Sequence, residues 1–169
     1  MRGLKFAAGL LAALLLHYPG VALSGGFSQV LDLFLVLTLF NALDGDLVAG
    51  MLGGLAAGLV ADTVSGGLYG LNGFADTIVG YGAALATQRL VIQRSTGVFL
   101  FFLLAATVQT VLMMGLVVTL LQDPPLPGFP SIATKVVLTG LVGAVGFMTR
   151  RRVLKAAAKW RRNRRAQLR

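Results

Sequence analysis

The sequence predicts an all-α membrane protein with six transmembrane helices, and three observations lead to that prediction. Hydrophobic residues make up 56% of the 169-residue chain and charged residues only 12%, about half the charged fraction of an average soluble domain. The mean hydropathy is +0.81. The apolar residues also fall into six separate stretches, each close to the ~20 residues that a helix needs to cross a bilayer.

The first three predicted spans cover residues 4–23, 27–43 and 47–61. Ser24-Gly25-Gly26 has the composition of a turn and separates the first two spans. Asp44-Gly45-Asp46 is a tight connection to the third span, and Asp46 is suited to cap it. The N-terminal stretch also has the charge and apolar pattern of a secretory signal. If it were removed, the topology of the other five spans would not change.

The last three predicted spans cover residues 73–87, 97–121 and 132–148. A glycine-rich link over 62–72 precedes the fourth span, and the segment 88–96, with Arg89 and Arg94, precedes the fifth. The proline-rich segment 123–130 cannot be helical throughout, so it is a loop before the sixth span.

The distribution of lysine and arginine predicts the orientation of the spans. With the N-terminus in the cytoplasm, Arg2, Lys5, Arg89, Arg94 and ten residues of the segment 150–169 all face inward, and only Lys135 lies toward the outside. Both termini are therefore predicted to be cytoplasmic. We divide the chain into a six-helix transmembrane domain, 1–149, and a basic cytoplasmic tail, 150–169.

Composition excludes several classes of site. The chain has no cysteine and a single histidine, so it has no disulfide, no thiolate zinc site and no two-histidine metal site. We predict no catalytic residue, cofactor or metal ion. The net charge of +9 comes from the tail, so it does not indicate binding of nucleic acid.

Ionisable residues within spans are costly and are candidates for function. They are His17, Asp32, Asp76 and Lys135, with Asp62 at the end of the third span. Asp32 and Lys135 lie at similar depth, which permits an ion pair; alternatively, Lys135 extends to the surface and Asp32 caps a helix or meets water. A proton relay through Asp32, Asp62 and Asp76 is a further possibility, although their spacing does not require it. His17, near Pro19, is expected to be a packing residue.

Small residues in the third span form two rows at helical spacing. Gly50, Gly54 and Gly58 make the first row, and Gly53, Ala57 and Ala61 make the second. Such rows allow close contact between helix backbones. The neighbouring helix is either another span of this chain or a partner protein.

The tail combines basic residues with one tryptophan. Trp160 suits the headgroup region of a membrane, and basic residues are attracted to anionic lipids. We therefore expect the tail to contact lipid, with a solvated tail and an acidic cytoplasmic partner as alternatives. The residues concerned are Arg150, Arg151, Arg152, Lys155, Lys159, Trp160, Arg161 and Arg162.

The segment Gly58 to Leu71 (GLVADTVSGGLYGL), followed by Thr77-Ile78-Val79-Gly80-Tyr81, resembles the rod shape-determining protein MreD family. That family carries G-L-x-x-D-x-x-S-G-x-x-x-G-L and then T-x-V-G-Y in its third and fourth spans. An aspartate before an aliphatic span, as Asp32 stands here, is also similar to the family. The chain differs in having Leu68 where members often have proline, and in its longer basic tail.

The resemblance implies a non-enzymatic scaffold of the cell-elongation machinery in the bacterial inner membrane. Relatives work with the single-pass protein MreC and, through it, with the actin-like filament and with the peptidoglycan polymerase and transpeptidase. The resemblance also implies a fold similar to the S components of energy-coupling-factor vitamin transporters, which supplies the main alternative function. An enzyme acting on lipid comes third. The candidates for contact with an MreC-like helix are Gly50, Gly53, Gly54, Ala57, Gly58, Asp62, Ser65, Gly66 and Gly70.

Overall fold

The structure is a computed structural model that describes residues 2–23, 30–66, 68–89, 95–122 and 127–167. This part of the chain forms six α-helices and contains no strand. The helices are α1 (Arg2–Leu23), α2 (Leu33–Ala42), α3 (Leu47–Ser65), α4 (Leu71–Arg89), α5 (Ser95–Leu120) and α6 (Phe129–Gln167). The all-helical prediction is confirmed.

Four of the helices are long and apolar enough to cross a membrane. They are α1, α3, α5 and the first part of α6, up to Val153. The helix α2 is apolar but only 10 residues long. The helix α4 has a length of 19 residues, but polar residues such as Asn72, Asp76 and Gln88 lower its hydropathy. The described ranges contain these six helices, while six complete crossings stay a prediction.

The helix of the predicted second span is interrupted at Leu31 and Asp32. We expected a helix from Phe27, which lies outside the described residues; Val30 is helical, and α2 begins at Leu33, because Asp32 has extended backbone angles and acts as its N-cap. The Asp32 carboxylate accepts a hydrogen bond from the Leu35 N–H at 3.0 Å. At 1.5 Å per residue, α2 spans about 15 Å, half the ~30 Å of a bilayer core. The predicted turn at 24–26 lies outside the described residues.

The predicted connection between the second and third spans is confirmed. Asp46 is the N-cap of α3, and its carboxylate accepts the Ala49 N–H at 3.1 Å. Gly45 has a φ of 72°, a conformation that glycine adopts without steric cost. The Asp46 side chain therefore satisfies one of the free N–H groups at the start of α3.

The sixth span and the basic tail form one continuous helix. We expected a span over 132–148 followed by a basic tail, and α6 runs for 39 residues through both. Pro130 lies in its first turn, where the missing N–H costs nothing. The predicted boundary at residue 149 is thus a change in composition without a break in secondary structure.

The short helix α2 lies at the centre of the bundle. It contacts each of the other five helices, and its Leu35 and Leu39 are fully buried. The largest core cluster joins these leucines to Val79 of α4 and to Val98 and Phe102 of α5. The most extensive contact between two helices is that of α3 with α4, followed by that of α5 with α6.

The orientation can be tested by cysteine labelling, because the chain has no cysteine of its own. We expect Gly25→Cys and Gly128→Cys to react in intact cells with a thiol reagent that does not cross membranes. Asn163→Cys should react only after the cells are opened. Labelling of Asn163→Cys in intact cells would contradict the predicted cytoplasmic C-terminus.

Candidate functional site

A buried polar cluster surrounds Asp32 at the start of α2. The Lys135 ammonium of α6 lies 3.1 Å from one Asp32 carboxylate oxygen. The Gln109 side-chain amide of α5 donates to the same oxygen at 3.3 Å. The Asp32 N–H donates to the Thr139 hydroxyl of α6 at 3.1 Å. Asp32 therefore connects α2, α5 and α6. The sequence analysis left a helix cap and an ion pair with Lys135 as alternatives, and Asp32 makes both.

Asp76 of α4 borders this cluster. Its side chain is 1% exposed, interacts electrostatically with Asp32 and Lys135, and lies near the Gln109 side chain. One Asp76 carboxylate oxygen and the Gln109 carbonyl oxygen are buried without a hydrogen-bond partner in the described part of the chain. This arrangement links the polar residues of α2, α4, α5 and α6.

His17 lies on α1, next to α2. It is 4% exposed, and its ring lies 5.6 Å from that of Phe34 in a tilted arrangement. This position agrees with the expected packing role, in which the ring fills space between α1 and α2.

Asp62 has a different surrounding from Asp32 and Asp76. It lies in the last turn of α3 and is 1% exposed. Its carboxylate accepts hydrogen bonds from the N–H groups of Gly70, Asn72 and Gly73 and from the Asn72 side-chain amide, at 2.8–3.2 Å. Because the N–H groups at a helix start lack partners within the helix, Asp62 caps α4 from a neighbouring helix. A negative charge is also favourable there.

The glycines around Asp62 shape the link between α3 and α4. Gly66 ends α3 with a φ of 64°, and Gly70 precedes α4 with a φ of 95°. Both values fall in the left-handed region, where a side chain is strained. The D-x-x-S-G-x-x-x-G motif therefore encodes a sharp reversal held by one carboxylate. Ser65 and Gly66 are exposed, whereas Asp62 is fully engaged within the chain.

The two small-residue rows of α3 face other helices of the same chain. A Cβ atom at Gly50 would lie 2.6 Å from the Gly80 carbonyl oxygen, and one at Gly54 or Gly58 would meet the α4 backbone at Asp76 or Asn72. The second row faces α1 and α2: a Cβ at Gly53 would meet the Asn41 side chain, and Ala57 is fully buried. The structure thus shows intramolecular packing, and contact of these rows with a partner stays a prediction.

Two members of the buried cluster were absent from the sequence-based candidates. Gln109 and Thr139 are fully buried, yet neither carries charge. Gln109 lies within a 25-residue apolar window. A single amide side chain in such a window indicates a buried polar group, so this pattern could have identified Gln109 as a candidate. Thr139 gives no such signal, because threonine within a helix commonly bonds to its own backbone.

These features define a helical membrane protein whose buried polar groups cap helices and hold the bundle together. Among the described residues, no group of three or more histidine, aspartate or glutamate side chains is placed to hold a metal ion. The chain belongs to the MreD family: the family model described as rod shape-determining protein MreD matches residues 6–123. The family is one of shape-determining membrane proteins and is not a known enzyme family. No curated protein and no solved structure matches the chain significantly.

Proposed function

We propose that this protein is a scaffold of the cell-elongation machinery in the bacterial inner membrane, where it binds an MreC-like single-pass protein. Through that partner it acts on the actin-like filament and on the polymerase and transpeptidase of lateral wall growth. The observation that carries the proposal is the family match over residues 6–123. It covers α1 to α5 and includes the Asp62 reversal and both small-residue rows.

The packing of the interior supports a scaffold over a transport component. A substrate-binding subunit needs a polar pocket that opens to the outside. In the part of the chain that the structure describes, however, Asp32 is already bonded to the buried Gln109 and Thr139 and is paired with Lys135. The vitamin-transporter alternative would require tight, saturable binding of a vitamin by the purified chain.

An apolar groove between α4 and α5 is a surface that one transmembrane helix of an MreC-like partner could occupy. The groove has a volume of about 260 Å³ and is lined by Gly82, Ala86, Leu104 and Val108, among others. Unlike the glycines of α3, Gly82 has no atom within 4 Å of a Cβ position. Small residues in an open groove permit the close backbone approach by which helices associate in lipid.

Co-purification from rod-shaped cells in mild detergent tests this proposal. The tagged chain should capture the MreC-like protein, and Gly82→Leu should reduce the captured amount at least fivefold and cause rounding of the cells. The matched control is Gly115→Leu, because Gly115 of α5 also faces open space but does not line the groove. It should leave capture and cell shape unchanged.

Two outcomes of that experiment would contradict different parts of the proposal. Equal capture by both variants would exclude the α4–α5 groove but retain the scaffold function. A chain that captures no MreC-like protein, and whose deletion leaves cells rod-shaped, would overturn the scaffold function itself.

We also infer that the basic residues that follow the apolar part of α6 contact anionic lipid headgroups. The helix continues from the transmembrane part to Gln167, so among the ten basic residues of 150–169 those nearest Arg150 lie closest to the membrane surface. Each basic residue near such a surface contributes roughly 1 kcal/mol. The solvated tail and an acidic protein partner remain the alternatives.

A further inference from the structure

A cleft of about 320 Å³ lies between α1, α2 and α6, on the side predicted to be cytoplasmic. Its polar lining comes from Lys5, Asn41, Asp44 and Arg150, and its apolar lining from Phe6, Leu37 and Phe40. Lys5 lies near the start of α1, Asp44 follows the end of α2, and Arg150 lies near the end of the apolar part of α6. The cleft is therefore at a membrane boundary, with charges at its opening and aromatic rings beside them.

The charges of this cleft favour an anion. Lys5 is exposed and forms no ion pair within the part of the chain that the structure describes. The Arg150 guanidinium lies 3.5 Å from the Asp44 carboxylate, with the two side chains 44% and 40% exposed. Such exposed pairs are weak, so Arg150 is free to turn one edge of its guanidinium toward a phosphate. The cleft then has two cationic side chains, Lys5 and Arg150, and one carboxylate, Asp44, which leaves a net positive charge.

The shape of the cleft favours a lipid over a soluble anion. Phe6, Leu37 and Phe40 offer apolar surface in the same cleft as the charged groups, so a ligand with a phosphate and an adjoining acyl chain suits both kinds of lining. The volume lies at the lower end of small-molecule sites, which suits one headgroup. Basic pockets between transmembrane helices on the cytoplasmic side are a known type of anionic lipid site.

We propose that this cleft binds the headgroup of one anionic phospholipid, with Lys5 and Arg150 on the phosphate and with Phe6 and Phe40 against the upper acyl chain. The site is distinct from the diffuse attraction of the tail, because it depends on residues of three helices. It is also independent of the scaffold function and of the α4–α5 groove.

Native mass spectrometry of the full chain in neutral detergent tests the site, with phosphatidylglycerol and phosphatidylcholine of identical acyl chains as probes. One phosphatidylglycerol should bind more tightly than phosphatidylcholine. Lys5→Ala should weaken phosphatidylglycerol binding about fivefold, the factor that corresponds to one basic residue at an anionic surface. Asp44→Asn removes the opposing charge and should strengthen that binding.

Arg152→Ala is the matched control, because Arg152 is exposed on α6, outside the cleft, and its loss changes the net charge by the same amount. It should alter phosphatidylglycerol binding less than twofold. Equal effects of Lys5→Ala and Arg152→Ala, or equal binding of the two lipids, would overturn the site and leave only the tail's attraction. Lys5→Gln, with a check of melting temperature, separates loss of the charge from loss of the fold.

Discussion

Replacement of Gly54 by alanine is expected to lower the stability of the protein by about 3 kcal/mol, the upper part of the range for overpacked sites. A single methyl group at this position meets the backbone of α4 at the Asp76 carbonyl. Backbone atoms cannot rotate away as a side chain does, so α3 and α4 must separate. Gly50→Ala should act in the same direction, because its Cβ would lie 2.6 Å from the Gly80 carbonyl oxygen.

Gly115→Ala is the control for this experiment. Gly115 lies inside α5, five residues before its end, and has no atom within 4 Å of a Cβ position. An alanine there should leave stability unchanged or raise it by about 0.5–1 kcal/mol, since glycine is unfavourable within a helix. Unfolding in mixed micelles measures both variants. If Gly54→Ala is as stable as Gly115→Ala, the close packing of α3 on α4 is refuted.

The connections of the fold were predictable because they depend on local chemistry. Asp46 precedes an apolar stretch and caps α3, and Gly45 adopts the positive φ that a tight turn requires. The reversal after α3 is also local: Gly66 and Gly70 have the conformations that glycine permits. In each case a few neighbouring residues determine the backbone conformation, so the local sequence is enough to predict the connection.

The surroundings of Asp32 were not predictable in the same way. The sequence offered a helix cap and an ion pair with Lys135 as alternatives, and only the structure shows that Asp32 makes both while also bonding to Gln109 and Thr139. These residues are 77 to 107 positions away along the chain. For α6, the change from apolar to basic composition marks where the membrane ends, while the residues on both sides favour helix.

The role of Asp62 shows a further limit of sequence patterns. An aspartate at the end of a span indicates a functional group as readily as a structural one, and the motif alone does not separate the two. The structure assigns its carboxylate to four donors of the 70–73 segment. The D-x-x-S-G-x-x-x-G pattern thus combines two glycine conformations with a helix cap, which is a physical reason for its spacing.

Removal of the Lys135 charge by Lys135→Met is expected to destabilise the protein by about 2–4 kcal/mol, because it leaves Asp32 charged and largely buried. The side chains of Lys135 and Asp32 are 23% and 10% exposed, so water compensates only part of this cost. Asp32→Asn should have a similar effect, since it leaves the ammonium without its partner while an asparagine still caps α2.

The double variant Asp32→Asn/Lys135→Met distinguishes an ion pair from two independent roles. If the 3.1 Å contact stabilises the bundle as a pair, the double variant should be more stable than the sum of the single changes predicts, by at least about 1 kcal/mol. Asp32→Ala removes the cap as well and should cost about 1 kcal/mol more than Asp32→Asn. If the effects of the two single changes are additive, Lys135 interacts mainly with the membrane surface and the role of Asp32 is limited to the N-cap of α2.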